Sequence, residues 1–227
     1  MGTITTKETQ KIQGNLDTNF LKIIAIFAMT LDHVGKVLFP DIMILQIIGR
    51  IAFPIFAYSI VVGCLYTHNF KNYIIRLSLF AIISLPIYAL RVSTTFQEYL
   101  QNLGIWNIFF TLILGALAVK ALEHKKWFGL IGVLLIVSLF NFDYGINGVA
   151  TMLIFYIFRQ KPLFYILING MLLSTPLLFG GDIQGFTVLA LIPIIFKTHF
   201  NIKINKYLFY IYYPAHLLII YLLGLFL

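Results

Sequence analysis

The segment 21–40, LKIIAIFAMTLDHVGKVLFP, is twenty residues of almost continuous hydrocarbon interrupted by Lys22, Asp32, His33 and Lys36. At about 1.5 Å per residue it extends for about 30 Å as a helix, which matches the apolar thickness of a bilayer. The run therefore predicts a transmembrane helix. An ionisable group in hydrocarbon is costly, so each one inside this span calls for a partner or a task.

The same pattern continues outward from that segment. Hydrophobic residues make up 60% of the 227-residue chain and charged residues 11%, with a mean hydropathy of +0.94, far from the balance of a soluble domain. Apolar runs recur near 20–39, 43–66, 72–90, 105–122, 127–141, 144–158, 162–179, 183–197 and 207–226. The expected fold is all-α, a polytopic transmembrane helix bundle of about nine spans, with 1–19 a polar cytoplasmic tail and 20–227 one membrane domain. The fifth and sixth runs are short and carry Gly145 and Gly148, so a re-entrant pair is the alternative there. No cleavage site follows the first run, which reads as a retained helix. Met1-Gly2 with Thr6 formally fits N-myristoylation, which a chain anchored by many helices does not need.

Thirteen of the sixteen Lys and Arg residues fall on one set of alternating flanks. Positive residues stay on the cytoplasmic side, so the N-terminus is expected inside and the C-terminus outside, in the bacterial cytoplasmic membrane. The formal charge of +8 is spread over these short loops rather than gathered in a stripe, which argues against nucleic acid as a partner. The single cysteine, Cys64, excludes a disulfide framework and reads as packing.

Counting along the helices places Asp32 and His33 at a depth similar to Arg50 in GRIAFPIF. Asp32 points about 100° away from His33, so its natural partners are Lys36 one turn on or Arg50 across the helix pair. Such an ion pair alone would explain Asp32 as a structural residue. Lys22 and His33 are eleven positions apart, almost three full turns, so they share one face about 16.5 Å apart. Lys22 would hold an anionic head near the helix entrance while His33 meets the reactive end; the plainer reading of Lys22 is an interfacial lysine that snorkels. Asn107 and Thr111, four apart, offer an amide and a hydroxyl either to a bound donor or to neighbouring helices. Asp143 and Tyr144 are placed at the outer mouth, facing an acceptor or simply forming a solvated turn at Gly145. His216 follows Tyr213-Pro214, where the proline distorts the last span, and suits either a substrate site or a structural histidine. His68, His124 and His199 read as surface residues. No HExxH or paired-cysteine motif supports a metal.

The stretches LKIIAIFAMTLDHVGKVLFP, GRIAFPIFAYSIVVG, RLSLFAIISLPIYAL, NIFFTLILGALA, DYGINGVATMLIFYIF and LFYIYYPAHLLII, in that order, resemble the successive signatures of the TraX family. That family takes its name from a conjugation-system enzyme that acetylates the N-terminus of pilin, and it is grouped with membrane acyltransferases related to acyltransferase type 3. Those proteins share a Lys or Arg separated by ten residues from a His in the first helix, and Lys22 with His33 fits. The resemblance implies acyl transfer from cytoplasmic acetyl-CoA or another acyl-CoA to a membrane-associated peptide, glycan or lipid acceptor, with the lipid bilayer as the medium. His33 is then the expected general base, Asp32 a group that stabilises it, and Arg50 either an oxyanion stabiliser or the counter-charge of Asp32. A small-molecule or proton-coupled transporter and a non-enzymatic membrane subunit are the competing classes.

Overall fold

The computed structural model describes residues 11–93, 95–200 and 202–226, so the myristoylation pattern lies outside the described residues. The described residues form helices and no strand. These are α1 (Thr18–Val37), α2 (Met43–Gly49), α3 (Ala52–Tyr66), α4 (Phe70–Arg91), α5 (Phe96–Asn102), α6 (Ile108–Glu123), α7 (Trp127–Leu139), α8 (Gly145–Ile157) and α9 (Pro162–Gly180). A 3₁₀ segment (Ile183–Ala190), α10 (Leu191–Ile195) and α11 (Lys206–Gly224) complete the order. Four stretches are long and apolar enough to cross a membrane: Met43–Tyr66, Phe70–Leu90, Pro162–Gly180 and Tyr207–Gly224. Large apolar side chains stand on the outside, Phe128 at 93% and Phe179 at 88% exposed, a surface suited to lipid rather than water. The chain is a membrane protein.

Helix α1 begins where the Asp17 carboxylate accepts the Phe20 N–H, and its apolar stripe buries Leu21, Ala25, Ala28 and Met29. The helix packs on α2, α3 and α11. Helix α3 is apolar all round and buried along nearly its whole length, which makes it the centre of the bundle. Around it, α6 packs on α3, α4, α7 and α8, while α11 closes the ring against α1 and α4.

Three local features depart from the pattern expected of the sequence. The second span is not one helix: it breaks at Arg50–Ile51 into α2 and α3. The eighth span is a 3₁₀ segment followed by the short α10, with the Thr187 hydroxyl bonded to the Gln184 and Leu173 carbonyls where it lies against α9. The polar N-terminal tail is not free over its described part. Ile12 and Asn15 are fully buried, Gln13 accepts from the Tyr165 hydroxyl at 2.9 Å, and the Asn15 amide donates to the Pro193 carbonyl at 3.2 Å. A peptide segment has its own donors and acceptors, and several of this segment's are met by α9, α10 and the loops beside them, with the Gln13 N–H donating to the Arg159 carbonyl and the Asn15 N–H to the Ile194 carbonyl, which offsets the cost of entering the bundle.

Glycine fixes the approach of α1 to α2. A Cβ at Gly49 would overlap both Cβ and Cα of Asp32, so only glycine allows the two backbones to meet there. Gly49→Ala is expected to cost about 1–3 kcal/mol by overpacking and to lower the thermal midpoint of the purified protein. Gly132→Ala, where nothing lies within 4 Å of the added Cβ, is expected to leave it unchanged.

Candidate functional site

The break at Arg50 is where the site is built. Arg50 caps α2 directly after Gly49, the point at which α2 lies closest to Asp32 of α1, so its guanidinium reaches that carboxylate. The Arg50 side chain is 11% exposed and that of Asp32 12%, and the two form an ion pair. Lys36 binds the other carboxylate oxygen at 2.7 Å from the next turn of α1. Arg50 also donates to the Gln46 carbonyl at 3.3 Å and to Gln184 Oε1 at 2.6 Å, tying α1, α2 and the 3₁₀ segment together. Both partners that the sequence offered Asp32 are therefore used at once, and the guanidinium is committed to neutralising it. In a low-dielectric interior a carboxylate is retained only with such compensation.

A cavity of about 250 Å³ runs alongside. Helix α1 contributes Asn19, Lys22, Met29, Asp32, His33 and Lys36, residues of one helical face, as the period of 3.6 requires. The opposite walls come from α3 (Phe53, Phe56, Ser59, Ile60), α4 (Tyr73, Leu77, Tyr88), α6 (Ile108, Phe109, Leu112) and α11 (Phe209, Tyr210, Tyr213). Lys22 and His33 thus line one continuous cavity, about 16.5 Å apart along the helix. The Lys22 ammonium lies 5.2 Å from the centre of the Phe209 ring. His33 is 8% exposed.

Asp143 and Tyr144 line the same cavity at the Asp32 end. Tyr144 adopts a left-handed conformation with φ 61° and stacks on Phe53 with ring centroids 3.7 Å apart. A non-glycine residue held in that region is strained and persists only where its surroundings fix it. Here the Thr111 hydroxyl donates to the Asp143 carbonyl, the Asp143 N–H reaches the Trp106 carbonyl at 3.4 Å, and Gln184 faces the Tyr144 phenol.

Of the nine residues that sequence reasoning marked, Lys22, Asp32, His33, Arg50, Asp143 and Tyr144 come together around this cavity. His216 does not line it but sits directly behind, its ring 5.1 Å from that of His33. His216 Nδ1 is 2.8 Å from the Tyr212 carbonyl, which can only accept, so Nδ1 carries the proton. Pro214 does not break the last span: α11 runs continuously from Lys206 to Gly224. Asn107 and Thr111 lie outside the cavity lining. Asn107 is the N-cap of α6, accepting from Phe109 at 3.1 Å and donating to the Ala81 carbonyl of α4 at 3.0 Å, so its amide serves the bundle. His68, His124 and His199 are exposed and Cys64 is buried. Among the described residues, no group of three His, Cys, Asp or Glu side chains converges.

Sequence reasoning missed Arg76. Its guanidinium, half-buried on α4, faces the hydroxyl of Tyr210, a residue of the cavity wall, and adds a second cation near the Lys22 end. The signal was present, since Arg76 stands six residues inside an apolar helix rather than in the loop before it.

A family model described as TraX protein matches residues 17–224. The chain is 28% identical over 230 residues to the probable fimbrial assembly protein FimC, serogroup H1, of Dichelobacter nodosus, covering 87% of this chain and 91% of that one. It is 50% identical over 40 residues to the uncharacterized protein RP591 of Rickettsia prowazekii (strain Madrid E), covering 18% of this chain and 16% of that one. No solved structure matches.

Removing one member of the buried pair strands the other. Asp32→Asn is expected to destabilise the purified protein by about 3 kcal/mol, and the double variant Asp32→Asn/Arg50→Gln by less than the sum of the two single changes. Lys36→Gln, at a partly exposed position, is expected to cost well under half as much as Asp32→Asn in the same thermal unfolding series.

Proposed function

The chain belongs to the TraX protein family, and from that premise we propose that it is a membrane-embedded acyltransferase of the bacterial cytoplasmic membrane, moving an acyl group from acyl-CoA, acetyl-CoA foremost, to an amine or hydroxyl. The observation that carries this reading is that one cavity is lined by a lysine at one end and a buried histidine at the other. A donor with an anionic head and a thin arm fits such a shape. The head pairs with Lys22, with Arg76 close by, and the arm brings its thioester to His33.

At that point an acceptor N–H or O–H requires a base as it attacks the thioester carbonyl. His33 takes that proton and returns one to the departing thiol, so that the imidazole ends as it began. Asp32 lies on the adjacent position, ion-paired with both Lys36 and Arg50. Through these contacts Asp32 and Arg50 fix the α1 backbone beside His33. His216, locked in one tautomer by Tyr212, packs against His33 and limits how far its ring turns. Asp143 and Tyr144 face the end away from Lys22, which is where an acceptor reaches the thioester without displacing the donor. A relative named as a fimbrial assembly protein makes a pilin-like peptide amine one acceptor to test.

His33→Gln is expected to abolish CoA release from acetyl-CoA by the purified protein in the presence of membrane extract, while its thermal midpoint stays near that of the wild type. Lys22→Gln is expected to raise KM for acetyl-CoA about tenfold with kcat little changed, the effect of losing one charge-assisted contact. A wild-type protein that releases no CoA above background, and whose thermal midpoint does not respond to CoA, would overturn the proposal and leave transport or a non-enzymatic role.

A further inference from the structure

Ser59 is the polar group in the middle of the cavity for which the fold has no use. A serine or threonine inside an apolar helix ordinarily returns its hydroxyl to the carbonyl four residues back. Thr30 does so to Ile26, Ser84 to Phe80, Ser138 to Leu134 and Thr151 to Asn147. Ser59, in the middle of α3, does not. It is 4% exposed, its Oγ has no hydrogen-bond partner among the described residues, and it lines the cavity wall. Leaving a buried hydroxyl unsatisfied is unfavourable, so an unpartnered hydroxyl on a residue of the cavity wall points to a bound partner.

Its place along the cavity says what kind of partner. Ser59 lies about 9 Å along α3 from Phe53, which stacks on Tyr144 at the polar end, so it falls between that end and Lys22. The walls around it are apolar: Met29, Phe56, Ile60, Leu77 and Leu112. A ligand threaded here is a narrow chain with a polar group partway along. We propose that Ser59 forms the subsite for an amide of the donor's arm, hydrogen-bonding one of the secondary amides of the pantetheine chain. This rests on the acyl-CoA reading above and adds to it the contact that sets the register of the arm, so that the thioester stops at His33.

The subsite is tested by comparing three probes on wild type, Ser59→Ala and Ser59→Thr: CoA, pantetheine, and adenosine 3′,5′-bisphosphate. Ser59→Ala is expected to weaken CoA and pantetheine about three- to tenfold, by the same factor, and to leave adenosine 3′,5′-bisphosphate unchanged. Ser59→Thr keeps the hydroxyl and is expected to bind within twofold of wild type. In turnover, the alanine variant is expected to raise KM for acetyl-CoA with kcat retained. Unaltered CoA affinity in Ser59→Ala overturns the subsite while the acyl-CoA reading stands. Equal weakening of all three probes marks Ser59 as merely structural and overturns it as well. A wild type that binds none of them overturns the donor reading and the subsite together.

Discussion

Asp32 stands in the first helix with its side chain almost wholly out of water, one carboxylate oxygen bonded by Lys36 and the other by Arg50. Much of the surrounding architecture serves this arrangement. The second span breaks at Arg50, which pairs with Asp32, Gly49 lets the two backbones meet, and the Gln46 carbonyl and Gln184 accept from the other guanidinium nitrogens. A charge removed from water without such partners would unfold its surroundings or lose its ionisation. With them, the pair anchors three segments and fixes the end of the cavity in which His33 lies.

The cavity itself follows from periodicity. Residues at spacings of three, four and seven on α1 share a face, and that face meets α3, α4, α6 and α11. One end presents cations and the other a cluster of ion-paired and aromatic groups, with an apolar waist between them. Polar chemistry at both ends of an apolar passage suits a ligand that is charged at its head, thin along its length and reactive at its tip. It suits less well a compact solute that would have to leave as readily as it entered.

Much of this was legible in the sequence because ionisable residues are so rare in its apolar runs. Asp32, His33, Arg50 and Lys22 stand out against hydrocarbon, and counting turns along two helices suffices to bring them together. What stayed hidden depends on tertiary partners. The break at Arg50 is marked in the sequence by Gly49 and by Pro54, which has no N–H to give the Arg50 carbonyl four residues back; what the sequence does not show is that the carboxylate of another helix meets the guanidinium there. The burial of Ile12, Gly14 and Asn15 was masked by the polar tail around them, because hydrogen bonds of Gln13 and Asn15 are met by groups more than a hundred residues away. Asn107 looked like a site residue, yet an asparagine opening a helix is as well explained as a cap, and so it proved. Ser59 gave no signal at all: a serine in an apolar helix becomes informative only once its hydroxyl is seen to lack a partner on a cavity wall.

The central claim is that one ligand bridges the lysine and the histidine of the first helix. A cryo-electron microscopy map of the full chain with a non-hydrolysable acetyl-CoA analogue tests it most directly. The account predicts continuous density from Lys22 past Ser59 to His33, with the acyl end beside the imidazole. Density confined to another surface, or a cavity unchanged at saturating analogue, would contradict it.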